Sequence, residues 1–438
     1  MSISVVILAA GQGTRMKSST PKVLHQISGK AMLFHVIDAA QSLSNDITVV
    51  LYHQADRIRK EIEAHYSGIS FHMQNVQEFP GTGGAIKGVE VRHDKVLILN
   101  GDMPLMTKES LLSLAQGDAH INMSVLKLED PSGYGRVIID EENAKEIVEE
   151  KDCTPEQKKI QTVNAGVYCI QKEILEQYIP CLNNKNAQAE YYLTDIIKMA
   201  AGEHKIIHPV YVAEEEFKGV NSKLDLAVAE EIMQRRIRNE WMKKGVIMRL
   251  PETIYIDSQA VFEGECILEN GVCIQGKSRL CNAHIKAHSV IEESHIENSD
   301  IGPMGHIRPH SKITNTHIGN FVEIKKSTLN GVKAGHLAYI GDASIEEGTN
   351  LGAGVITCNY DGKNKYKTTI GKNVFVGSDT QLIAPIFIED DVMIAAGTTV
   401  NKDIKQGELA ISRTPLRTVQ NFFYKFFLTE KKKQSGEK

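Results

Sequence analysis

The segment LAAGQGTRM (residues 8 to 16) combines a glycine loop with a cation. Gly11 and Gly13 precede Arg15, and Lys22 adds a second cation shortly afterwards. Backbone N–H groups and two cations can face the oxygens of a triphosphate. The third glycine of a dinucleotide fingerprint is absent, and so is the Gly-Lys-Ser/Thr of a Walker loop. The pattern favours a nucleoside triphosphate, with a glycine turn and solvated cations as the alternative.

A carboxylate further along the chain could hold a metal ion. The apolar run 96 to 99 is followed directly by Asn100, Gly101 and Asp102. A side chain at the carboxyl end of a buried strand faces the ligand side of an α/β sheet. Mg²⁺ prefers few carboxylates together with substrate oxygens. Asp102 is therefore a candidate metal ligand, although a Gly-Asp pair can also form a simple turn.

The elements around these residues alternate between strand-like and helical patterns up to about residue 222. Apolar runs at 5 to 8, 47 to 51, 96 to 99 and 137 to 139 are separated by polar-apolar stretches such as 32 to 43. This alternation predicts a doubly wound, Rossmann-like α/β domain with a mostly parallel sheet. Its ligands would bind beyond the carboxyl ends of the strands.

A helical pattern follows this region. Apolar residues recur every four positions from Ala229 to Trp241, and Gly245 can end the helix. The helix could link two domains or, equally, pack as a last helix against the first. We predict a first domain over 1–223, a linker helix over 224–245 and a second domain over 246–438.

The second half of the chain has a period of six residues. A period of six matches neither an α-helix nor a flat strand, but it matches one side of a coil in a parallel β-helix. The insertion CNYDGKNKYK (358 to 367) breaks the period and is a candidate functional loop on the β-helix wall. The longest uninterrupted series comprises Ile370, Val376, Leu382, Ile388, Ile394 and Val400.

Composition bears on partners and location. The chain of 438 residues has a formal net charge of −5, no apolar stretch of membrane-span length and no basic, signal-like start. We therefore expect no nucleic-acid partner, no membrane insertion and a cytoplasmic location. The seven cysteines form no CxxC pair. Their spacing matches no zinc pattern, so we expect reduced thiols.

The first half resembles the sugar nucleotidyltransferases. The resemblance depends on LAAGQGTRM with the following Pro-Lys, on the Gly-Asp pair at 101 to 102, and on FPGTGGA at 79 to 85. In that superfamily a sugar 1-phosphate attacks the α-phosphate of a nucleoside triphosphate and expels pyrophosphate. The resemblance implies that the glycine loop holds a nucleoside triphosphate.

The second half resembles an acetyltransferase built on a left-handed β-helix of hexapeptide repeats. RPHSKI (308 to 313), NFVEIKK (320 to 326), KAGHLAYIGDASI (333 to 345) and VFVGSDTQLIAP (374 to 385) carry this resemblance. With both halves in this order, the chain resembles the family of bacterial bifunctional N-acetylglucosamine-1-phosphate uridylyltransferase/glucosamine-1-phosphate N-acetyltransferases. The resemblance implies UTP and acetyl-CoA as co-substrates, Mg²⁺, UDP-N-acetylglucosamine as product and a homotrimer formed through the β-helix.

For the first half, the resemblance implies a uridylyltransferase site. Arg15 and Lys22 are the implied catalytic cations on the triphosphate, and Asp102 and Asn221 are the implied Mg²⁺ ligands. Metal and cations together would stabilise charge on the α-phosphate and on the departing pyrophosphate. The further residues implied for UTP, uracil and the amino sugar are Leu8, Ala9, Ala10, Gly11, Gln74, Gly81, Thr82, Asn100, Gly101, Gly135, Glu149 and Asn164.

For the second half, the resemblance implies His336 as a general base. Acetyl transfer needs a neutral amine, and a histidine can take the ammonium proton near neutral pH. The implied contacts of the sugar phosphate are Arg308, Lys325, Tyr339, Asn350 and Lys365. The implied contacts of acetyl-CoA are Ala353, Asn359, Tyr360, Ser378, Ala396 and Arg413.

Three positions in the first half depart from the family pattern. Asn100 stands where an aromatic residue is frequent, Gly84 stands where a histidine is frequent, and Ala31 stands where a proline is common. The stretch from Gln74 to Gly81 is also longer than usual. None of these departures removes a charged catalytic group, so what Asn100 and Gly84 bring into question is base selectivity.

The tail from 421 to 438 has clustered phenylalanines followed by lysines. We expect the phenylalanines to pack on the β-helix or on a neighbouring subunit, with the lysines in solvent. A helix lying on a membrane surface is the alternative.

Two other functions remain open. A single-activity nucleotidyltransferase could carry a β-helix that only oligomerises, and a regulatory subunit could carry inactive sites. The Gly-His-Leu-x-Tyr segment around His336 and the insertion argue against a bare scaffold. Intact Arg15, Lys22, Asp102 and Asn221 argue against an inactive subunit.

Overall fold

The apolar runs of the first half form the strands of one sheet. The computed structural model describes residues 2 to 427, and their contacts divide into two units. The first unit ends at Lys243 and also includes Ile256–Gln259, and the second unit comprises the other residues. The strands of the first unit are β1 (Ile3–Leu8), β2 (Gln26–Ile27), β3 (Lys30–Ala31), β4 (Asp46–Leu51), β5 (Ile69–Met73), β6 (Lys95–Asn100), β7 (Ile121–Lys127), β8 (Arg136–Asp140), β9 (Asn143–Val148), β10 (Thr162–Gln171) and β11 (Ile207–Tyr211).

The main sheet has the strand order β11-β7-β10-β6-β1-β4-β5. Strand β1 is parallel to β4 and β6, and β4 is parallel to β5. Only β10 interrupts this path, since it runs antiparallel to β6 and β7. The predicted mostly parallel sheet is confirmed. Its order sets the carboxyl ends of β1, β4 and β6 side by side, where α/β folds bind ligands.

Helices cover both faces of this sheet. Val5 of β1 belongs to the same core as Ile37, whereas Val6 belongs to the core that contains Ile196. Neighbouring residues of a strand point to opposite faces, so a strand covered on both sides is apolar throughout. The helices are α1 (Met32–Gln41), α2 (Ala55–His65), α3 (Thr82–Ile86), α4 (Lys108–Ala115), α5 (Lys172–Tyr178), α6 (Asp195–Gly202), α7 (Glu214–Phe217) and α8 (Lys223–Lys243).

Helix α8 is the helix predicted near residues 224 to 245. Its Ala229 is buried with Ile27 and Met32 in a small separate core. Its Glu230 accepts hydrogen bonds from the backbone N–H and the hydroxyl of Ser28, at 3.0 and 2.9 Å. The contacts therefore attach α8 to the first unit, whereas the sequence boundaries place it between two domains.

The six-residue period forms a left-handed parallel β-helix, as predicted. Every third strand pairs in parallel register, giving sheets of 10, 9 and 8 strands. The inward aliphatic residues, such as Ile307, Ile324 and Ile340, are completely buried. The strands are β12 (Ile247–Met248), β13 (Tyr255–Ile256), β14 (Val261–Glu263), β15 (Ile267–Leu268), β16 (Cys273–Gln275), β17 (Arg279–Cys281), β18 (His284–Ile285), β19 (Val290–Glu292), β20 (His295–Glu297), β21 (Asp300–Ile301), β22 (His306–Ile307), β23 (Lys312–Thr314), β24 (His317–Asn320), β25 (Glu323–Lys325), β26 (Thr328–Asn330), β27 (Lys333–His336), β28 (Tyr339–Gly341), β29 (Ala343–Ile345), β30 (Asn350–Leu351), β31 (Ile356–Cys358), β32 (Thr368–Ile370), β33 (Phe375–Val376), β34 (Gln381–Ile383), β35 (Ile386–Ile388), β36 (Met393–Ile394), β37 (Thr399–Val400) and β38 (Leu409–Ala410).

The insertion leaves the wall between β31 and β32. It folds back on itself, because Tyr360 and Lys365 form an isolated antiparallel bridge. The hydroxyl of Tyr360 also donates to the carbonyl oxygen of Gly362 at 2.6 Å. The predicted excursion from the β-helix is thus an ordered hairpin-like loop.

The phenylalanines of the tail pack on one another instead of on the β-helix. The rings of Phe422 and Phe426 stack at 6.0 Å, and those of Phe423 and Phe427 lie 4.7 Å apart. All four remain at least half exposed. Packing on the β-helix of the same chain is therefore not found for these residues, and packing on a neighbouring subunit stays a prediction. The lysines at 431 to 433 lie outside the described residues. Within residues 2 to 427, none of the helices has the length and apolarity needed to cross a bilayer.

Candidate active sites

The glycine loop of the first unit lies directly after β1. Gly13 has a φ of 63°, a conformation that favours glycine. A Cβ atom at Gly13 would also lie only 2.5 Å from the Cβ of Lys22. The glycine therefore allows Lys22, in the short helical turn Lys22–Leu24, to approach the loop.

The predicted cations and metal ligands meet beside this loop. The Lys22 Nζ forms an ion pair with Asp102 and donates to Asn221 Oδ1 at 2.6 Å. The Arg15 Nη2 donates to the same Asn221 oxygen at 2.8 Å, across 206 positions of sequence. All four residues implied for charge stabilisation thus form one cluster.

The donor set of this cluster fits a magnesium ion. Asp102 and Asn221 offer one carboxylate and one amide oxygen, and both side chains already contact a single cation, the Lys22 ammonium. A Cβ at Gly219 would lie 3.4 Å from Asn221 Nδ2 and 3.6 Å from Asp102 Oδ1, so the glycine leaves this side open. Over residues 2 to 427, no three His, Cys, Asp or Glu side chains converge as a metal cluster. Few protein ligands plus substrate oxygens is the coordination that Mg²⁺ prefers.

A cavity of about 520 Å³ adjoins this cluster. Most of the residues predicted to bind the nucleotide line this cavity, together with residues that were not predicted from the sequence. Tyr52 was missed, although it directly follows the apolar run of β4 in the same way that Gly101 and Asp102 follow β6. The cavity is lined by Leu8, Ala9, Ala10, Gly11, Gln12, Lys22, Val23, Tyr52, Gln74, Val76, Pro80, Gly81, Thr82, Ala85, Asn100, Asp102 and Glu190.

The departure at Gly84 has a structural reason. A Cβ at Gly84 would lie 2.0 Å from the carbonyl oxygen of Phe79, so only glycine fits there. Phe79 belongs to the stretch that is longer than usual in the family. The amide of Gln74 donates to the carbonyl oxygens of Phe79 and Gly81, at 3.1 and 2.9 Å. The absence of a side chain at Gly84 therefore makes room for the longer stretch at Phe79. The side-chain amide of Gln74 fixes this loop by its two hydrogen bonds.

The departure at Asn100 ties two strands together. Its Nδ2 donates to the carbonyl oxygen of Gly166 at 2.9 Å, at the irregularity of β10. The next residue, Gly101, donates its backbone N–H to Leu8 at 2.9 Å. Asn100, the last residue of β6, thus lines the cavity and also fixes the strand end from which the chain leads to Asp102.

The residues implied for the amino sugar also meet. The backbone N–H of Asn164 donates to the carbonyl oxygen of Gly135 at 2.8 Å. A Cβ at Gly135 would lie 3.4 Å from Glu149 Oε2. Burial raises the pKa of the Glu149 carboxyl, and a hydrogen bond from Thr194 (3.2 Å) opposes this effect. Gly135, Glu149 and Asn164 therefore form one cradle.

In the second unit, three predicted cations lie together on the β-helix. The repulsion of Lys365, and then of Arg308, lowers the pKa of Lys325. The insertion brings Lys365 to this position. Arg308 Nη1 also pairs with Glu323 Oε1 at 2.9 Å. Glu323 was missed, although it stands two positions before Lys325 on the same outward face of β25. Three clustered cations suit a phosphate monoester dianion.

Two further predicted residues flank these cations. A Cβ at Gly341 would lie 2.6 Å from Tyr339 Oη and 2.7 Å from Asn359 Nδ2, so both side chains converge over this glycine. Asn359 is held there by donating to Asp342 Oδ2 at 2.5 Å. Asn350 is the first residue of β30, which belongs to a different sheet from β28 and β31. Within residues 2 to 427, its side chain forms no hydrogen bond with Tyr339, Asn359 or the three cations.

His336 lies on a corner of the β-helix that repeats from coil to coil. Leu337, beside it, accepts a hydrogen bond from Gly354 N–H at 3.1 Å. On the following coils, Ala353 accepts from Asp379 N–H and Ser378 accepts from Gly397 N–H, both at 2.8 Å. Arg413 Nε then donates to the carbonyl oxygen of Ala396 at 3.1 Å. We call His336, Ala353, Ser378, Ala396 and Arg413 the corner column.

The imidazole of His336 is accessible within this column. The residue is exposed at the end of β27, next to the exposed Leu337. Among residues 2 to 427, none forms a hydrogen bond with its ring. The ring nitrogens are therefore available to a substrate, as a general base requires.

Comparisons with known proteins agree with both units. Residues 5–139 match the model of the MobA-like NTP transferase domain, and residues 367–402 match the hexapeptide repeat of succinyl-transferase. Bifunctional protein GlmU of a Sulfurovum species is 71% identical, with 98% of this chain and 99% of that protein covered. The proteins of the same name from a Nitratiruptor species and from Aliarcobacter butzleri are 61% and 57% identical, with the same coverage. The chain therefore belongs to the bifunctional GlmU family of enzymes, with a nucleotidyltransferase domain followed by a hexapeptide-repeat acetyltransferase domain.

Proposed function

We propose that the chain catalyses two consecutive reactions of UDP-N-acetylglucosamine synthesis. At the β-helix, acetyl-CoA acetylates glucosamine 1-phosphate. At the first unit, UTP converts the resulting N-acetylglucosamine 1-phosphate to UDP-N-acetylglucosamine and pyrophosphate. One observation carries the proposal: each unit assembles its own reactive set, cations beside oxygen ligands in the first and cations with a free histidine in the second.

In uridylyl transfer, a phosphate oxygen of the sugar phosphate attacks the α-phosphorus of UTP, and pyrophosphate leaves. Lys22 and Arg15 are placed to stabilise the triphosphate charge from the side of the glycine loop. Mg²⁺, bound through Asp102 and Asn221, would supply further positive charge to the phosphate oxygens. Gly135, Glu149 and Asn164 would orient the attacking sugar phosphate, and orientation supplies much of the rate in phosphoryl-type transfer.

For the base, Gln74 is suited to recognise uracil through its carbonyl oxygen. Its amide hydrogens already hold the loop at Phe79 and Gly81, which leaves an acceptor for the N3–H of uracil. Thr82 lies in the same cavity wall.

In acetyl transfer, the amine of glucosamine 1-phosphate attacks the thioester carbonyl carbon of acetyl-CoA. His336 takes one proton from the ammonium so that the amine can attack. When the C–S bond breaks, its electrons leave with the sulfur, the nitrogen loses its second proton, and the sulfur takes up a proton to give the free thiol of coenzyme A. Arg308, Lys325 and Lys365 would bind the phosphate, while Tyr339, Asn350, Asn359 and Tyr360 contact the substrates. The remainder of the corner column would bind acetyl-CoA, mainly through backbone groups.

The second unit also has features of a self-associating surface. Phe321, Leu337, Phe375 and Met393 are each about half exposed or more on the β-helix. Exposed apolar side chains in such number indicate an interface. We propose a homotrimer formed through the β-helix and, because the substrates are cytoplasmic metabolites, a cytoplasmic location.

A split assay tests the proposal on the full-length protein with Mg²⁺. One reaction holds acetyl-CoA and glucosamine 1-phosphate and is scored for free thiol. The other holds UTP and N-acetylglucosamine 1-phosphate and is scored for pyrophosphate. We expect product in both. Pyrophosphate without thiol would show that the β-helix only oligomerises, and thiol without pyrophosphate would refute the first reaction.

A further inference from the structure

The first unit contains a buried arginine that the proposed chemistry does not use. Arg136, the first residue of β8, is 1% exposed. Its Nη1 pairs with Glu150 Oε2 at 2.7 Å and also donates to the carbonyl oxygen of Tyr134. Its Nη2 donates to the carbonyl oxygen of Lys158 at 3.3 Å. One guanidinium thus joins three separate turns of the chain.

Each residue of the amino-sugar cradle is next to this network. Gly135 directly precedes Arg136, and Glu149 directly precedes Glu150. Asn164 follows Val163, which pairs with Arg136 across the sheet. Gly135 and Glu149 are therefore sequence neighbours of the ion pair, and Asn164 is the sequence neighbour of the residue that pairs with Arg136 in the sheet.

The burial of Arg136 limits what it can do. A side chain with so little exposed surface cannot reach a substrate, so its effect must pass through its neighbours. Glu150 is held by this arginine from one side, and the contact lowers the pKa of the Glu150 carboxyl. Arg136 is buried and Glu150 is partly exposed, so removing either partner leaves the other charge uncompensated and removes a contact that holds these turns together.

We propose that Arg136 and Glu150 are positioning residues that set the affinity of the uridylyl-transfer site for its sugar phosphate. The inference rests on the proposed function, because it takes Gly135, Glu149 and Asn164 as the sugar cradle. The nucleotide end of the site is anchored independently, through Lys22, Asp102 and Asn221. Loss of the pair should therefore weaken sugar binding and leave UTP binding intact.

Three variants test this inference in the full-length enzyme. Arg136→Met removes the charge, Arg136→Lys retains it without the fork of donors, and Glu150→Gln keeps the shape of the partner. The matched control is Glu63→Gln, which neutralises a carboxylate paired at 2.8 Å with Arg59 on the exposed face of α2. In each protein, we would measure KM for N-acetylglucosamine 1-phosphate and for UTP, and acetyl transfer as an internal standard.

We expect KM for the sugar phosphate to rise by about tenfold or more in Arg136→Met, since small displacements of orienting groups have large effects. Arg136→Lys should recover part of this loss, and Glu150→Gln should give a smaller rise. KM for UTP, acetyl transfer and the Glu63→Gln control should remain unchanged. This split separates positioning from general destabilisation, which would affect both KM values.

An equal rise of both KM values would overturn the inference, as would an unchanged sugar KM in Glu150→Gln. Glu150 is 34% exposed as a side chain, so its variant can fold even if the Arg136 variants do not. Absence of uridylyl transfer in the unaltered enzyme would instead refute the proposed function. In that case, calorimetric titration with UDP-N-acetylglucosamine and with UTP would still show whether the pair governs only the sugar half.

Discussion

The two candidate sites are assembled over very different sequence distances. In the first unit, Arg15 and Lys22 contact Asn221 across 206 and 199 positions. In the second, Arg308 pairs with Glu323 across 15 positions, and Arg413 contacts Ala396 across 17. The β-helix brings residues together by repeating one coil, whereas the α/β unit must complete its sheet before its cluster exists.

This difference predicts how each site can fail. A change in one coil of the β-helix acts mainly on the neighbouring coils, because each coil contacts only its neighbours. A change in the α/β unit acts through strand ends that carry residues from distant segments. The effect of a substitution on one reaction can therefore be compared with its effect on the other reaction in the same protein.

The largest effect is expected from Lys22→Met. Uridylyl transfer should fall by about 10²- to 10³-fold, as for the loss of a preorganised charge-stabilising donor. Acetyl transfer, measured as thiol release, should not change. Lys30→Met, which removes a lysine paired with Asp38 in the same unit, is the control. A parallel loss of acetyl transfer would contradict the separation of the two sites.

The next largest effect is expected from His336→Ala, which should impair the other of the two reactions. Acetyl transfer should fall by about 10²-fold or more because the amine loses its general base, and uridylyl transfer should persist. His295→Ala is the matched control, since His295 contacts Glu297 on another sheet of the β-helix. Similar losses in both variants would mean that His336 has no special role.

A smaller effect is expected from Lys365→Ala. KM for glucosamine 1-phosphate should rise by about tenfold at neutral pH, because one phosphate-facing cation is lost. Repulsion from Lys365 and Arg308 lowers the pKa of Lys325, so Lys325 loses its proton earlier as pH rises. Without Lys365, Lys325 should stay charged to higher pH. The alkaline limb of kcat/KM for acetyl transfer should therefore move upward.

The control for this pH profile is Lys372→Ala, a lysine on the same unit that we do not place in the site. It should leave both KM and the alkaline limb in place. An alkaline limb that moves downward in Lys365→Ala would refute the repulsion between the two lysines.

The smallest effects are expected from core variants. Ile313→Val in the β-helix and Ile98→Val in β6 each remove one methyl group from a fully buried site. Each should cost about 0.5–1.5 kcal/mol of stability. Relative to the unaltered protein, thermal inactivation of acetyl transfer should be faster in the former, and thermal inactivation of uridylyl transfer should be faster in the latter. Equal acceleration of both losses in each variant would indicate that the two units unfold together.

The repeating unit was more predictable than the α/β unit. A period of six residues is a local pattern, so the β-helix and its insertion follow from the sequence. The cations Arg15 and Lys22 stand in a local motif too. Nothing local, however, brings Asn221 to them.

Other features depend on packing that no sequence pattern shows. The fit between Phe79 and Gly84 depends on how closely the two backbones approach each other. The Arg136–Glu150 pair lies in a region of strands whose alternation of polar and apolar residues does not mark either residue. The phenylalanines of the tail contact one another, a pairing that their sequence spacing alone does not distinguish from packing on the β-helix.

The corner column, which we propose as the acetyl-CoA site, has a length that is set in whole coils. Successive coils are separated by one strand spacing, about 4.8 Å, so the distance from His336 to Arg413 can change only in whole steps of that size. Adding or deleting a complete coil would repeat or remove one hydrogen-bonded corner and so change the length of the corner column. On the proposed assignment, whole-repeat insertion would therefore change the length of the acyl carrier that fits, without redesign of the residues at either end.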